Sequence, residues 1–330
     1  MLPSQDDATW TSAPADRMQP PAGRNCNKSA VPLQVSVIDM AQPEPAAAAQ
    51  LREACTTTGF FYVSNHGVSD DLVQRQFAQW HQFFNLPECT KLALKAGKSN
   101  RGYYPVGAGS AKNPFGLGDR KEGFNIYGFE SDLDLPFHGR NVWPDEAVLQ
   151  GFKATMLQYY DAMHAVADRV LRLIALALDL PADWFADKFD KPAANIRCVH
   201  YVEDANDPDK GIFGVGAHTD WGMLTVLATD DVPGLQIHVN GEWVDVPPRN
   251  GTFIVNLGDM THRWTNGRFR STLHRVVKRD SCERYSSPFF LAPNWDAKID
   301  STEATQRRCE SDLCNQTVGS ASQYSIRSRA

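Results

Sequence analysis

The sequence predicts a mainly β protein of the α+β class, built on an antiparallel barrel or double-sheet jelly roll flanked by helices. Three observations support this fold. After Asn195, short segments of strand composition alternate with turn residues. Asn240-Gly241 is a strong hairpin signal between two of these segments. Before them, apolar residues recur at helical spacing from Gly151 to Leu180, which predicts one long helix ended by Pro181. The predicted strands are Ile196–Tyr201, Leu224–Ala228, Gly234–Val239, Glu242–Asp245, Thr252–Asn256, Thr272–Val277 and Ser287–Leu291.

The N-terminal half mixes helices with strands. A strand through Val35–Ile38 precedes a helix from about Pro45 to Thr57, which Gly59 ends. Phe60–Val63 predicts the next strand. Ser69 is the expected N-cap of a second helix that places Phe77, Trp80 and Phe84 at helical spacing. The glycine- and aromatic-rich stretch 101–128 predicts a long surface loop.

Polar, low-hydrophobicity segments are expected at both ends. Residues 1–30 predict a flexible tail, and residues 300–330 predict a poorly ordered tail without the spacing of a packed helix. Between them we expect an N-terminal region, 31–145, whose strands contribute to the barrel. Residues 146–299 then form a helix followed by the jelly roll.

Composition excludes several classes of function. With 33 basic and 39 acidic residues the net charge is −6, which argues against nucleic-acid binding because phosphate backbones require basic surfaces. No apolar run is long enough to cross a membrane, and the polar, acidic N-terminus predicts no secretory signal. The seven cysteines form no C-x-x-C pair, which predicts reduced thiols and a cytoplasmic location. We expect a monomer that acts on a small molecule.

A metal site is predicted by His218, Asp220 and His274. Alternate residues of a strand point to one side, so the two residues of the H-x-D motif can reach one ion. His274 adds a ligand from a distant strand. Two imidazoles and one carboxylate on one face of an octahedron leave positions open, as Fe(II) oxygenases require. Alone, H-x-D is a weak signal, and His274 could be a core histidine.

The segment after His274 strengthens this interpretation. Arg284 and Ser286 alternate onto one side of a strand. A guanidinium fork matches a carboxylate, and a hydroxyl adds another donor. Together they predict a dicarboxylate site beside the metal, although Arg284 alone would more often form a surface salt bridge.

These residues, in this order and spacing, resemble the plant-type 2-oxoglutarate-dependent dioxygenases, a superfamily that includes isopenicillin N synthase and 1-aminocyclopropane-1-carboxylate oxidase. The stretches Gly59–Val68, Arg197–Tyr201 and Val255–Asp259 are similar to that family too, and the resemblance extends from about Val31 to Asn294. It implies a double-stranded β-helix core with an N-terminal α/β region packed on it.

The resemblance also implies the cofactors and the reaction. Fe(II) is bound by His218, Asp220 and His274, with 2-oxoglutarate and O2 as co-substrates and ascorbate as a supporting reductant. The far carboxylate of 2-oxoglutarate meets Arg284 and Ser286, and Tyr201 adds a hydrogen bond. Decarboxylation to succinate and CO2 is coupled to hydroxylation or related C–H oxidation of a small organic substrate. The metal centre is the only expected catalytic group.

Other residues and outcomes stay open at this point. Asn256 either supports the cofactor site or is a structural asparagine. The substrate candidates are Arg101, Tyr103, Lys121, Phe124 and Phe290, and a lysine or arginine facing the iron predicts an anionic substrate. The family's usual C-terminal apolar helix is replaced here by a polar segment. The alternatives are an iron oxidase of the same fold that does not use 2-oxoglutarate, an ethylene-forming enzyme and a catalytically silent binding module.

Overall fold

The structure is a computed structural model that describes residues 35–108, 119–132, 138–203, 206–278 and 282–301. The predictions for the tail 1–30 and for nearly all of 300–330 lie outside these residues. Twelve strands and five α-helices occur in the described part of the chain. The strands are β1 (Val37–Asp39), β2 (Phe60–Ser64), β3 (Gly102–Tyr104), β4 (Lys121–Tyr127), β5 (Pro192–Tyr201), β6 (Val215–His218), β7 (Leu224–Thr229), β8 (Leu235–Val239), β9 (Glu242–Asp245), β10 (Thr252–Leu257), β11 (His274–Val276) and β12 (Arg284–Asn294). The helices are α1 (Glu44–Thr57), α2 (Asp70–Phe84), α3 (Glu88–Leu92), α4 (Phe152–Ala177) and α5 (Asp259–Trp264).

Two sheets form the jelly-roll core. The large sheet has eight strands in the order β1-β2-β10-β7-β12-β5-β4-β3, and the small sheet has four in the order β6-β11-β8-β9. Apolar side chains from both sheets, including Phe60, Ile254 and Ile237, pack into one buried cluster. The N-terminal strands extend the large sheet at both ends, because β2 pairs with β10 and β4 pairs with β5.

Helices cover the outside of the large sheet. The buried face of α4 packs against α1 and contributes to the largest apolar cluster together with strands β7 and β12. A second cluster joins α2 and α4 to β4 through Trp80, Phe83, Phe124 and Phe152. Apolar residues at helical spacing predicted α2 and α4, whereas α1 was predicted from its end signals.

Local sequence signals explain several element ends. Ser69 caps α2 by accepting a hydrogen bond from the amide of Leu72 at 3.3 Å. Gly59 ends α1 with φ +66°, and a Cβ there would lie 2.3 Å from the carbonyl oxygen of Arg270. Asn240 and Gly241 both take positive φ, as a tight turn between β8 and β9 requires.

The prediction of a long loop over 101–128 was wrong for part of that stretch. Its described residues contain β3 and all of β4, which pairs with β3 on one side and with β5 on the other. Both faces of β4 are buried, so the apolar–polar alternation that reveals a half-buried strand is absent. The short helices α3 and α5 were also not predicted, since each is too brief to show a helical period.

Candidate metal centre and co-substrate pocket

The three predicted metal ligands meet at one end of the small sheet. His218 is the last residue of β6 and His274 is the first residue of β11, and the two are directly paired in the antiparallel register. Asp220 follows two residues after the end of β6. Strand pairing therefore brings residues 56 positions apart in sequence to neighbouring Cα positions, with the carboxylate of Asp220 beside them.

The donor atoms are arranged as a metal ion requires. One ligand atom from each of the three residues lies within 4.8 Å of the other two. The Nε2 atoms of His218 and His274 are each 3.7 Å from Oδ1 of Asp220. Two imidazoles and one carboxylate in this arrangement fit an ion that keeps further positions open.

Hydrogen bonds orient both imidazoles. Nδ1 of His218 lies 2.9 Å from the carbonyl oxygen of Gly216, and Nδ1 of His274 lies 3.0 Å from that of Thr272. A carbonyl oxygen only accepts, so each Nδ1 carries the proton and each Nε2 keeps its lone pair for a metal. Burial, with the neighbouring His274, lowers the pKa of His218 to about 4, which favours the neutral form that binds metals.

Asp220 is held through its second oxygen. Thr225 donates a hydrogen bond to Oδ2 at 2.5 Å and Asn256 donates another at 2.7 Å, which leaves Oδ1 facing the imidazoles. Burial favours the protonated acid, but the two imidazoles and these hydrogen bonds outweigh it and keep the pKa of Asp220 below its ordinary value. Asn256 therefore orients the carboxylate of Asp220 toward the two imidazoles.

The turn that carries Asp220 packs tightly against the start of α5. A Cβ on Gly258 would lie 2.2 Å from the carbonyl oxygen of Gly222 and 2.8 Å from that of Asp220, so this contact requires glycine. The amide of Asp259 donates to the carbonyl of Asp220 at 2.7 Å. The Gly258-Asp259 pair fixes the backbone position of Asp220.

A second polar group lies on the large sheet. Arg284 and Tyr201 are directly paired on β12 and β5, and the Arg284 guanidinium lies 4.7 Å from the centre of the Tyr201 ring. The hydroxyls of Tyr201 and Ser286 are 3.2 Å apart. Nε of Arg284 donates to the carbonyl of Val232 at 3.1 Å, whereas its buried Nη1 has no hydrogen-bond partner in the described part of the chain. A buried guanidinium nitrogen without a partner is costly unless a ligand satisfies it.

The His-Asp-His cluster and the Arg284, Ser286 and Tyr201 side chains line one cavity of about 90 Å³ between the two sheets. Of the predicted substrate residues, Lys121 and Phe290 line it. The sequence analysis missed three polar contributors: Thr225 and Arg197, which line the cavity, and Asp119, which pairs with Lys121 at 3.0 Å. Arg197 lies inside a stretch that already resembled the family, and its alternation with Tyr201 on one strand could have identified it.

The other three substrate candidates lie elsewhere, which corrects their prediction. Phe124 is completely buried in the cluster with Trp80 and Phe152. The Tyr103 hydroxyl donates to Glu122 at 2.5 Å, on the side of the sheet away from the cavity. Arg101 is buried against the rings of Tyr127 and Phe129 and donates to Asn141. Aromatic and charged residues near a site in sequence alternate between the faces of a strand, so proximity in sequence did not place them in the pocket.

A larger crevice of about 1010 Å³ lies at the other end of the large sheet, near Phe129, His138, Tyr160 and Trp295. None of its described lining residues belongs to the metal cluster or to the Arg284 group. Its size exceeds that of the cavity between the sheets, but only the smaller cavity brings possible metal ligands together with an unsatisfied cation. No helix in the described ranges is both long and apolar enough to cross a membrane.

Comparison with known proteins agrees with this geometry. Residues 35–146 match the N-terminal region described as non-haem dioxygenase in morphine synthesis, and residues 193–293 match the 2OG-Fe(II) oxygenase superfamily. Kihadalactone A synthase of Citrus sinensis is 39% identical over 289 residues, covering 83% of this chain and 86% of that protein. The 2-oxoglutarate-dependent dioxygenase citB of Monascus ruber is 38% identical, covering 76% of this chain and 79% of its own.

A solved structure shows the same fold with the co-substrate. A full-length Neurospora crassa protein, crystallised in complex with α-ketoglutarate, superposes with a TM-score of 0.73 at 30% identity, over 82% of this chain and 88% of that one. Family, fold and the His-Asp-His cluster therefore agree, and they confirm the predicted jelly-roll core, the iron and the 2-oxoglutarate. This chain belongs to the 2OG-Fe(II) oxygenase superfamily and is a 2-oxoglutarate-dependent dioxygenase, an oxidoreductase that acts on a small molecule.

Proposed function

We propose that His218, Asp220 and His274 bind Fe(II), and that Arg284, Ser286 and Tyr201 bind the far carboxylate of 2-oxoglutarate. The reaction then couples formation of succinate and CO2 to hydroxylation or related C–H oxidation of a small organic substrate. The observation that carries the proposal is the unpartnered Nη1 of Arg284, buried in the same cavity as the three ligands.

The donor set favours iron in this fold. Both imidazoles present unprotonated Nε2 atoms, and Asp220 presents one oxygen while its other oxygen is occupied by Thr225 and Asn256. Three ligands on one side of an ion leave positions for two co-substrates. Bound iron supplies the oxygen-activating chemistry that protein side chains lack.

Arg284 is suited to a carboxylate rather than to a general anion. Its Nε contact with Val232 and its stacking on Tyr201 fix the plane of the guanidinium, so the free edge of the fork has one orientation. Planar forks bind carboxylates through paired hydrogen bonds. The hydroxyls of Ser286 and Tyr201 lie beside it and supply additional donors.

The rest of the cavity wall limits the access of water. Val199, Leu227, Val276, Pro288 and Phe60 line it between the polar groups. An apolar wall strengthens the charge interactions inside and protects a reactive centre from solvent. The protein thus holds the ligands, orients the co-substrate and excludes water.

The cellular setting remains part of this proposal. The cysteines that the structure describes, Cys55, Cys89, Cys198 and Cys282, are free thiols. Free thiols support the prediction of a reducing compartment, the cytoplasm. The monomeric state stays a prediction from the sequence.

The test is spectroscopic. Anaerobic Fe(II) protein mixed with 2-oxoglutarate should develop a weak visible charge-transfer band, because the co-substrate chelates iron through its keto acid end. Admission of oxygen should then yield succinate. The absence of both signals would refute the proposed roles, whereas iron-dependent turnover without succinate would indicate the oxidase alternative, and ethylene release the ethylene-forming one.

A further inference from the structure

We propose that the substrate carries a carboxylate and that Arg197 binds it, at the end of the cavity opposite Arg284. This inference rests on the proposed function, because it assigns the charges of iron and 2-oxoglutarate to the groups described above. It adds the chemical class of the substrate and names the residue that selects this class.

Strand register separates the two arginines. Arg197, Val199 and Tyr201 alternate along β5 and all face the cavity. Tyr201 is paired with Arg284, and Arg197 lies four positions before Tyr201 on β5, a rise of about 13 Å along the strand. Arg197 therefore does not share the carboxylate that Arg284 binds.

The metal ligands are closer to the Arg197 end. Thr225, which holds Asp220, is paired on the large sheet with Phe290. Phe290 in turn lies beside Arg197, whose guanidinium is 5.8 Å from the centre of its ring. A group bound by Arg197 is thus placed next to the metal on the side away from Arg284.

Arg197 is held rigidly and still has free donors. Nε donates to Oδ1 of Asn125 at 2.7 Å, and the amide of Asn125 donates to the carbonyl of Asn100 at 2.9 Å. Tyr104 and Phe290 lie at equal distances of 5.8 Å from the guanidinium. In the described ranges, the terminal nitrogens of Arg197 have no hydrogen-bond partner and no carboxylate. This is a fixed, open fork of the kind that binds a carboxylate in two places.

The charges of the cavity leave Arg197 uncompensated. Lys121, Arg197 and Arg284 are the cations among its described lining residues, and Asp220 is the only anion. Fe(II) balances Asp220 and the near carboxylate of 2-oxoglutarate, and Arg284 balances the far carboxylate. Asp119 balances Lys121 at 3.0 Å. One positive charge remains on Arg197, which is half-buried in the cavity wall, so an anion bound there would gain a charge partner that water screens only in part.

Lys121 reinforces the positive field at this position. Burial lowers the pKa of Lys121, Asp119 raises it and the neighbouring Arg197 lowers it again, so the two cations are close enough to repel. An anion bound by Arg197 would relieve this repulsion. A monocarboxylate satisfies the remaining charge, and the ring of Phe290 provides an apolar surface for the carbon atoms beside it.

The experiment compares acids with their neutral amides. Protein loaded with Zn(II) and saturating 2-oxoglutarate is titrated by calorimetry with acetate, phenylacetate and naphthylacetate and with the matching primary amides. We expect at least one acid to bind saturably, about tenfold or more tightly than its amide, because only the acid pairs with the free fork. Equal binding of acids and amides, or no binding by any acid, would overturn the proposal.

Variants assign the binding to Arg197. Arg197→Gln should weaken the acid about tenfold or more, and Arg197→Lys should restore part of the affinity because it retains the charge but not the fork. Arg172→Gln, which removes an exposed arginine paired with Glu44, is the matched control and should change nothing. Unchanged acid binding in Arg197→Gln would refute the proposal. The charge-transfer band of the wild-type Fe(II) protein tests the 2-oxoglutarate site separately, so failure of one is distinguishable from failure of the other.

Discussion

Two rows of side chains on the same three strands differ in how fully their buried charged groups are paired. Lys121, Tyr201 and Arg284 stand side by side on β4, β5 and β12 and face the cavity. An adjacent residue of each strand points the other way, and these residues form a parallel row on the opposite face: Glu122, His200 and Tyr285. We call these the front row and the back row.

The ionisable groups of the back row are paired, although the neutral Tyr285 hydroxyl has no hydrogen-bond partner in the described part of the chain. The Glu122 carboxylate accepts hydrogen bonds from Lys91 at 2.9 Å and Tyr103 at 2.5 Å, and lies 2.7 Å from Nδ1 of His200. The His200 ring stacks on Tyr285 with centroids 4.6 Å apart. The front row differs, because Nη1 of Arg284 has no partner within the described ranges. Both rows contain buried charge, so burial of charge alone does not distinguish a site from a scaffold. Within these two rows, the difference is that Arg284 keeps a cationic donor without a partner.

The largest effect is expected at the metal ligands. Asp220→Ala removes the only carboxylate of the triad, so purified protein should retain about a tenth or less of the wild-type iron content, measured by metal analysis. Asp245→Ala, on β9 and away from the cluster, is the control and should bind iron normally. Full iron occupancy in Asp220→Ala would remove this residue from the ligand set.

Removal of Arg284 should separate co-substrate binding from metal binding. Arg284→Ala should raise the dissociation constant of 2-oxoglutarate by roughly thirtyfold or more, corresponding to about 2 kcal/mol or more, because a buried carboxylate loses its charged partner. Iron content should not change, since no ligand is touched. Titration of the charge-transfer band measures the affinity. The dissociation constant of Arg284→Lys should lie between those of the wild type and Arg284→Ala. Unaltered 2-oxoglutarate affinity would show that the carboxylate binds elsewhere.

Substitution of the back-row residue Glu122 should lower stability without affecting iron or 2-oxoglutarate binding. Glu122→Gln leaves the buried Lys91 without its anion and should lower the free energy of unfolding by about 3 kcal/mol, while iron and 2-oxoglutarate binding persist. The more exposed Glu283, 3.0 Å from Nε2 of His200, provides the control: Glu283→Gln should cost less than about 1 kcal/mol. Denaturant titration measures both, and a loss of iron in Glu122→Gln would contradict the separation of the two rows.

The same variant predicts a pH dependence. Burial opposes ionisation of Glu122, but the hydrogen bonds from His200, Tyr103 and Lys91 outweigh it and keep its pKa below the ordinary value of 4.5. The stabilisation is therefore fully present above pH 4.5 and is lost as the pH falls through the lower folded-state value. The stability difference between wild type and Glu122→Gln should shrink in that acid range and stay constant above it.

The contrast between rows also explains what the sequence could predict. The His-Asp-His cluster and the Arg284-x-Ser286 pair could be predicted because their spacing follows strand alternation and matches a known family pattern, and the structure brings both to one cavity. Phe124 was misplaced because β4 is buried on both faces, and its composition does not reveal which side faces the cavity. Tyr103, on β3, pairs directly with Phe124 and shares its face of the sheet. Thr225 reaches Asp220 across the turn between β6 and β7, and Asp119 accepts a hydrogen bond from the amide of Gly216, 97 residues away. One sequence specifies neither the geometry of that turn nor the packing that brings Asp119 to Gly216.

Two tyrosine substitutions, one on each face of the sheet, should give the smallest effects and the most selective test of the difference between the rows. Tyr201→Phe removes a hydroxyl of the front row that lies 3.2 Å from Ser286, so the dissociation constant of 2-oxoglutarate should rise about two- to tenfold, the value of one neutral hydrogen bond. Tyr103→Phe removes a hydroxyl of the back-row network and should leave that constant unchanged while lowering stability by about 1 kcal/mol. The two variants make the same chemical change on opposite faces of one sheet. Equal effects on 2-oxoglutarate affinity would show that the co-substrate depends on sheet rigidity rather than on direct contact with the Tyr201 hydroxyl.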